Sequence, residues 1–201
     1  KWTDAGISSH SIGLYAHDHE AVGAFFQYGF GLRCVDAIRS MTPVKAPMCE
    51  GFSFFEVPDL SRNRVEPLHR MLRAHFEKSP CFMKHTGPDH WLKEKTRLFA
   101  AADTSDIVAY IETADTAENF VTEVPQIQNI CGAFCLPAYR GKGLYPNLLN
   151  FLIASLAIEG YTLLGVDYES FNPTAAGFWG KYFTPYTSGV VRRIDENVLA
   201  K

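Results

Sequence analysis

The most regular pattern of apolar positions in the chain predicts a helix over residues 144–159. Leucine and isoleucine recur there at helical spacing, at Leu144, Leu148, Leu149, Leu152, Ile153 and Leu156. Pro146 suits the first turn of this helix, and Gly160 suits the position after its last turn. The preceding residues 130–136 form a short apolar run closed by Pro137, which indicates a strand, a short loop and then the helix.

The pattern of apolar and polar residues predicts further elements before and after the helix over 144–159. After the helix it predicts a strand over 162–168, a short helix over 173–182 with Asn172 as N-cap, and a closing strand over 188–194. Before it come a helix over 63–78 and two short strands, 98–101 and 107–111, that flank a turn at 103–106. From about residue 60 onward, we therefore expect an α+β unit whose sheet is covered by helices.

The first part of the chain repeats the pattern of the last part. An offset of 153 positions aligns Tyr15, Phe25, Phe30 and Arg39 with Tyr168, Phe178, Phe183 and Arg192. These identities fall inside matching strand-helix-strand patterns, so we interpret residues 10–58 as a second copy of the C-terminal half. An ordinary N-terminal strand-helix-strand extension is the alternative. The predicted domains are thus a partial one over 1–58 and a complete one over 59–201. Because the sequence lacks an initiator Met, we expect it to be a piece of a longer chain.

Composition and charge then restrict the class of protein. With 201 residues, 47% of them hydrophobic, the chain can bury a sizeable core. A net charge of −3 provides no overall basic field of the kind that non-specific nucleic-acid binders use. The most apolar stretch, 148–158, is too short to cross a membrane. Five cysteines, an odd number, favour a reducing cytoplasm over a secreted disulfide framework.

The segment between the strand and the helix, residues 137–146, has the composition of an anion-binding loop. Gly141 and Gly143 let the backbone approach a phosphate, Arg140 and Lys142 supply positive charge, and the helix N-terminus offers free N–H groups. A P-loop is excluded because glycine follows Lys142 where that motif needs Ser or Thr. A dinucleotide-binding fingerprint is excluded because Pro146 occupies its third glycine position.

Two motifs resemble those of the GCN5-related N-acetyltransferase (GNAT) superfamily. The coenzyme A motif Arg/Gln-x-x-Gly-x-Gly/Ala matches Arg140 and Gly143, with Tyr145 as a departure. The helix motif Asn-x-x-Ala-x-x-Phe-Tyr matches Asn172, Ala175 and Phe178, with Trp179 as a departure. The resemblance implies a three-layer α+β fold, with a mixed, mostly antiparallel central sheet flanked by helices. It also implies a tandem protein with a partial N-terminal copy.

The resemblance further implies acetyl-CoA as co-substrate and a set of site residues. Cys135 and Leu136 are expected to contact the pantetheine through their backbone, on a strand that splays from its neighbour. The pyrophosphate is expected on Arg140, Gly141, Lys142, Gly143, Leu144 and Tyr145, and the far wall of the acyl slot on Asn172 and Phe178. Cys135 can equally be read as a small buried hydrophobe without thiol chemistry.

The implied reaction is direct attack of a neutral amine on the acetyl thioester within a ternary complex. Because Trp179 stands where the family often has an acidic tyrosine, Tyr182 is the expected proton donor, with Tyr168 as a second choice. Glu169 is the expected base, with Asp167 as its alternative. Each of these side chains can instead be a packed core residue or a solvated strand end.

The sequence therefore predicts an acetyl-CoA-dependent N-acetyltransferase that acts on a primary amine of a small molecule or protein. A non-catalytic acyl-CoA-binding or regulatory domain is the alternative, because Trp179 lacks an acidic proton and a tyrosine at Tyr145 can narrow the pyrophosphate site. No metal is expected, since His17-Asp18-His19 and Cys131-x-x-x-Cys135 lack the companion ligands of a zinc site. Neither nucleic acid nor membrane is an expected partner, and the resemblance is compatible with a homodimer.

Overall fold

The computed structural model describes residues 2–84, 96–115 and 124–198, which contain eight strands and four α-helices. The strands are β1 Ser9–Tyr15, β2 Gly31–Ser40, β3 Ser53–Glu56, β4 Thr96–Ala102, β5 Ile107–Ala114, β6 Ile127–Cys135, β7 Leu163–Glu169 and β8 Thr184–Arg193. The helices are α1 His19–Gln27, α2 Glu66–Phe76, α3 Leu144–Ile158 and α4 Pro173–Tyr182. They form two compact units.

The second unit, Arg39–Val166, contains a sheet with the order β7-β6-β5-β4-β3. Its ladders are antiparallel except for β6 and β7, which pair in parallel between Ile127–Leu163 and Ile130–Val166. Helix α3 supplies Phe151, whose ring lies 6.3 Å from that of Phe99 on β4.

The opposite face of this sheet is covered by α2. Leu68 of α2 packs there in one buried cluster with Leu98, Tyr110 and Phe134 of the sheet. Because strand side chains alternate between faces, Leu98 and Phe99 point to opposite sides. The second unit is thus a sheet between two helices, as the α+β prediction requires.

The first unit combines the two ends of the chain, up to Ile38 and from Asp167 onward. Strand β8 lies between β1 and β2 and is antiparallel to both, so the two terminal strand-helix-strand segments interleave. Each unit is defined by contacts, and the domain boundary predicted between residues 58 and 59 stays a prediction. Strand β2 shifted by 153 positions gives the bounds of β8, and α1 shifted equally overlaps α4.

Most predicted elements have the expected type, and the differences lie at their ends. The α-helix predicted over 63–78 begins at Glu66, because Pro67 favours the first turn of a helix and 59–65 form a 3₁₀ segment instead. The last strand begins at Thr184 rather than 188. It continues through Pro185 next to a register shift against β2, an arrangement that accommodates the missing N–H.

Candidate functional site

The loop between β6 and α3 takes the conformation that its two glycines allow. After a 3₁₀ turn at Pro137–Tyr139, Gly141 and Gly143 have φ of 75° and 79°, in the left-handed region that side chains disfavour. Gly143 is the N-cap of α3, and no side chain caps this helix. The N–H groups of the first turn of α3 therefore have no side-chain acceptor.

A run of four main-chain donors occupies this turn. Within the described part of the chain, the N–H groups of Gly141, Lys142, Gly143 and Leu144 donate to no acceptor. They lie at the positive end of the α3 dipole, in the same loop as the cationic residues Arg140 and Lys142. Such a group of N–H donors favours a phosphate or pyrophosphate.

Tyr139 anchors this loop to the turn between β4 and β5. Its hydroxyl donates to Asp103 Oδ2 at 2.5 Å, and its ring meets Phe52 edge-on at 5.9 Å. Lys142 Nζ lies 5.9 Å from the centre of the same ring. The bond from Tyr139 and those from the N–H groups of Asp106 and Ser105 hold the pKa of the Asp103 carboxyl well below its usual range. The loop is thus fixed at its start.

Arg140 folds back onto the end of β6. Its Nε donates to the Cys135 carbonyl at 2.9 Å, and its guanidinium lies over the Phe134 ring at 5.4 Å. Cys135 Sγ is 3.6 Å from the Leu136 carbonyl, and burial raises the pKa of this thiol to about 11. The thiol is therefore protonated at neutral pH, as a packing role requires. The Leu136 N–H donates to the Val108 carbonyl at 3.0 Å.

Tyr145, the departure from the coenzyme A motif, extends toward β5. Its hydroxyl donates to the Tyr110 carbonyl at 3.0 Å, and burial raises the pKa of the phenol. A ring in this orientation is part of the packed interior of the unit. The objection that a tyrosine here narrows a pyrophosphate site is correspondingly weaker.

Residues 41–51 run along α3, a feature that the sequence analysis did not predict. Asn150 forms two bonds with Val44, its Oδ1 accepting from the N–H at 2.7 Å and its Nδ2 donating to the carbonyl at 2.9 Å. Asn147 Nδ2 donates to the Pro47 carbonyl at 2.8 Å. Pro47 also packs on Gly143, where a Cβ would meet its Cγ at 2.5 Å. The available signal was the two asparagines that interrupt the apolar positions of α3.

Strand β6 changes its pairing halfway along. The parallel ladder with β7 ends at Ile130 and Val166, whereas pairing with β5 continues to Cys135. Thr113 opposes Ile130 and Glu112 opposes Gly132, so Cys131 is an extra, bulged residue. Beyond the bulge, the main-chain groups of β6 lie outside this parallel ladder, and the expected splay stays a prediction.

The remaining predicted site residues belong to the first unit. Asn172 caps α4, accepting from Ala175 N at 3.5 Å and from Thr174 Oγ1 at 2.8 Å. Phe178 has its ring 4.8 Å from Trp179 and 5.0 Å from Tyr182.

Glu169 lies in the same unit, with its Oε2 3.6 Å from Arg33 Nε. The structure therefore groups the predicted loop residues in the second unit, and groups Asn172, Phe178 and Tyr182 on one helix of the first. The roles assigned to all of them stay predictions.

Neither a metal-binding cluster nor a membrane-spanning helix is found among the residues that the structure describes. They contain no group of three or more His, Cys, Asp or Glu side chains able to hold a metal ion. Asp18, from the His-Asp-His sequence, instead caps α1 by accepting from Ala21 N at 2.9 Å. Within the same residues, no helix combines the length and apolar character needed to span a bilayer.

Known structures identify the class of fold. A GNAT-family acetyltransferase from Colwellia psychrerythraea superposes with a TM-score of 0.58 at 14% identity, covering 94% of this chain and 66% of that one. A GCN5-related N-acetyltransferase from Kribbella flavida gives 0.54 at 13%, covering 90% and 66%. An aminoglycoside acetyltransferase from an uncultured soil metagenomic sample gives 0.51 at 14%, covering 67% and 89%.

These similarities confirm the predicted fold class: the chain has the α+β fold of GCN5-related N-acetyltransferases, with a mostly antiparallel set of strands flanked by helices. The chain spans about two thirds of the length of the first two proteins. No protein-family model and no curated protein matches its sequence.

Proposed function

We propose that the chain is an N-acyltransferase that uses acetyl-CoA to acetylate a primary amine of a small molecule or a protein. The observation that carries this proposal is the run of four N–H donors from Gly141 to Leu144 at the start of α3. Together with Arg140 and Lys142, they fit a pyrophosphate in charge and in hydrogen-bonding capacity. Beyond Ile130, β6 supplies main-chain groups suited to the amides of a pantetheine arm.

The reaction requires a base for the amine and an acid for the leaving thiolate. The amine nitrogen bonds to the thioester carbonyl carbon, the carbon-sulfur bond breaks, and the base removes the excess proton from nitrogen. Bound acetyl-CoA supplies the activated acyl group. Tyr182 as acid and Glu169 as base are the roles that the family resemblance assigns.

The alternative function is a non-catalytic acyl-CoA-binding domain. It is favoured by Trp179, which is buried on α4 at the place where the family motif has tyrosine. An indole N–H cannot protonate a thiolate, so this position does not supply the acid. Both functions share the coenzyme A loop and differ in whether thiol is released.

We also propose the tandem organisation, with a cytoplasmic location as predicted from cysteine usage. The coincidence of β2 with β8 at an offset of 153 supports two copies of one strand-helix-strand segment. Their interleaving through β8 fits an arrangement in which two copies share a sheet.

Calorimetric titration with acetyl-CoA tests the shared part of both functions. We expect binding accompanied by a rise in melting temperature, since a ligand that prefers the native state stabilises it. Arg140→Ala should weaken the binding free energy by about 1–3 kcal/mol, the range for charge-assisted bonds. Arg70→Ala is the matched control, because it removes the same charge from an exposed ion pair with Glu66 on α2.

An unchanged affinity in Arg140→Ala would contradict the assignment of the loop as the pyrophosphate site. Thiol release over an amine panel then separates the enzyme from the binding domain. The panel includes an aminoglycoside, because the soil-metagenome structure with this fold is an aminoglycoside acetyltransferase. Peptides with exposed lysine represent the protein acceptors.

A further inference from the structure

One segment of the chain, residues 44–52, contacts the coenzyme A loop at both of its ends. At the end of the loop, the Pro47 ring packs on Gly143, the N-cap of α3. At the start of the loop, the Phe52 ring meets the Tyr139 ring edge-on, with 5.9 Å between the ring centres. We call residues 44–52 the strap. Both ends of the loop therefore contact one continuous piece of chain outside it.

The strap is attached to the side of α3, beside the N–H donors of the loop rather than in front of them. It bonds with Asn147 and Asn150, which follow Gly143 at i+4 and i+7 and so share one helix face with it. Asn147 Nδ2 also donates to the Gly143 carbonyl at 2.8 Å, so one amide bonds with both the strap and the N-cap residue. Because the N–H groups at a helix start point along the helix axis, a ligand that accepts from them approaches the end of α3 and not its side.

The strap is fixed on the helix about two turns away from the loop. Asn150 Oδ1 accepts from the Val44 N–H at 2.7 Å, and its Nδ2 donates to the Val44 carbonyl at 2.9 Å. One side-chain amide thus satisfies both main-chain groups of one strap residue. Pro47 follows three residues later, and its carbonyl is held by Asn147. Asn150 therefore restrains the strap without touching the loop.

The two glycines of the coenzyme A loop make its ordering costly. Gly141 and Gly143 both have φ in the left-handed region, and glycine loses more conformational freedom on ordering than any other residue. A loop that becomes ordered only when its anion binds loses this freedom at that moment, and its affinity falls accordingly. Contacts that order the loop beforehand therefore strengthen binding without touching the ligand.

We propose that the strap positions the coenzyme A loop, with Pro47 and Asn150 as positioning residues for the pyrophosphate of the bound coenzyme. The docked strap holds the loop in the conformation that presents its N–H groups together, so less order has to be gained on binding. By linkage, a bound pyrophosphate must favour the docked strap by the same factor. This inference rests on the proposed binding of acetyl-CoA and adds the residues outside the loop that control its affinity.

Affinity measurements on strap variants test this role. Pro47→Ala removes the ring that packs on the loop, and Asn150→Ala removes both bonds to Val44. Each should weaken acetyl-CoA binding about fivefold or more in calorimetric titrations. Ser155→Ala is the matched control, because it removes another side-chain bond of α3, donated to the Phe151 carbonyl at 2.9 Å, and leaves the strap intact. Its affinity should stay within about twofold of wild type.

Hydrogen exchange of the Val44 amide is a readout in wild type that a merely structural role would not move. This N–H donates to Asn150, so its exchange requires the strap to leave the helix. Saturating acetyl-CoA should slow the exchange of Val44 by about the factor by which Asn150→Ala weakens binding. The Met83 amide, which donates to the Phe76 carbonyl at 2.8 Å in the same unit, is the control and should slow less.

Unchanged affinity in both strap variants, an equal loss in Ser155→Ala, or equal slowing of exchange at Val44 and Met83 overturns the proposal. If a variant fails to fold, the exchange experiment on wild type decides. Inorganic pyrophosphate, titrated into the same proteins, separates this result from failure of the proposed function. If wild type binds pyrophosphate but not acetyl-CoA, the proposed function is wrong, and the same comparisons made with pyrophosphate decide on the strap. If wild type binds neither, both proposals are overturned.

Discussion

The contact between Gly143 and Pro47 gives a quantitative test of how the coenzyme A loop is built. Gly143→Ala places a side chain at φ 79°, which costs about 1–2 kcal/mol for an L-residue. The new Cβ would also meet Pro47 Cγ at 2.5 Å and its Cδ at 3.2 Å. Overpacking of this kind costs about 1–3 kcal/mol, because Pro47 cannot move independently of the segment that Asn147 holds.

Gly141→Ala is the matched control for backbone strain. Gly141 has a similar φ of 75°, but a Cβ there would enter open space. Replacing glycine also restricts the unfolded chain, and this effect offsets about 0.4–1 kcal/mol of the loss in the free energy of unfolding in either variant. We therefore expect a loss of about 1 kcal/mol in the free energy of unfolding for Gly141→Ala and about 2–4 kcal/mol for Gly143→Ala.

Urea denaturation followed by circular dichroism measures both losses, and a double-mutant cycle isolates the contact. Pro47→Ala should recover most of the excess cost in the Gly143→Ala background, since it removes the atoms that collide. Equal losses in the two glycine variants, within about 0.5 kcal/mol, would refute the packing of residues 41–51 on the loop. Failure of Pro47→Ala to recover stability would do the same.

Three further predictions test other parts of the molecule. Tyr145→Phe removes the bond to the Tyr110 carbonyl and should lower the free energy of unfolding by about 0.5–1.5 kcal/mol in urea titrations. Arg97 lowers the pKa of Glu159 below its ordinary 4.5. The wild-type protein should therefore have a higher free energy of unfolding than Arg97→Met near neutral pH, and this difference should decline as the pH falls below about 4.5. A difference that is independent of pH would contradict this. Tyr182→Phe should reduce thiol release while acetyl-CoA affinity, measured by calorimetry, stays within about twofold; an unaltered rate removes Tyr182 from the acid role.

The fold could be predicted largely because its elements have clear periodicity and clear ends. Helix α3 shows six buried apolar positions at helical spacing, and α4 begins after the cap that Asn172 provides. The predicted ends of helices and strands were wrong where the hydrophobic pattern carries less information. The last strand was predicted from residue 188, yet β8 begins at Thr184 and continues through Pro185 beside a register shift that no local pattern reveals.

Predicting the division into compact units required knowledge of long-range pairing. Strand β8 pairs with both β1 and β2, and these contacts join the two ends of the chain into one unit. A linear reading of composition and motifs assigns neighbours in sequence to the same domain. The repeat at an offset of 153 did indicate that the two ends are alike, although it gave no information on how they interleave.

For the candidate site, the informative residues are polar side chains inside apolar elements. Asn147 and Asn150 interrupt the apolar helix α3, and each holds a carbonyl of the segment 41–51. Glu112 and Asn129 similarly interrupt the buried strands β5 and β6. A prediction from hydrophobic periodicity alone gives such residues no weight. The cost of burying a polar group nevertheless implies that each has a partner or a ligand. The asparagines of α3 have main-chain partners, so they explain the packing of the loop. The amide of Asn129 has none in the described structure, so no hydrogen bond seen there offsets the cost of its burial.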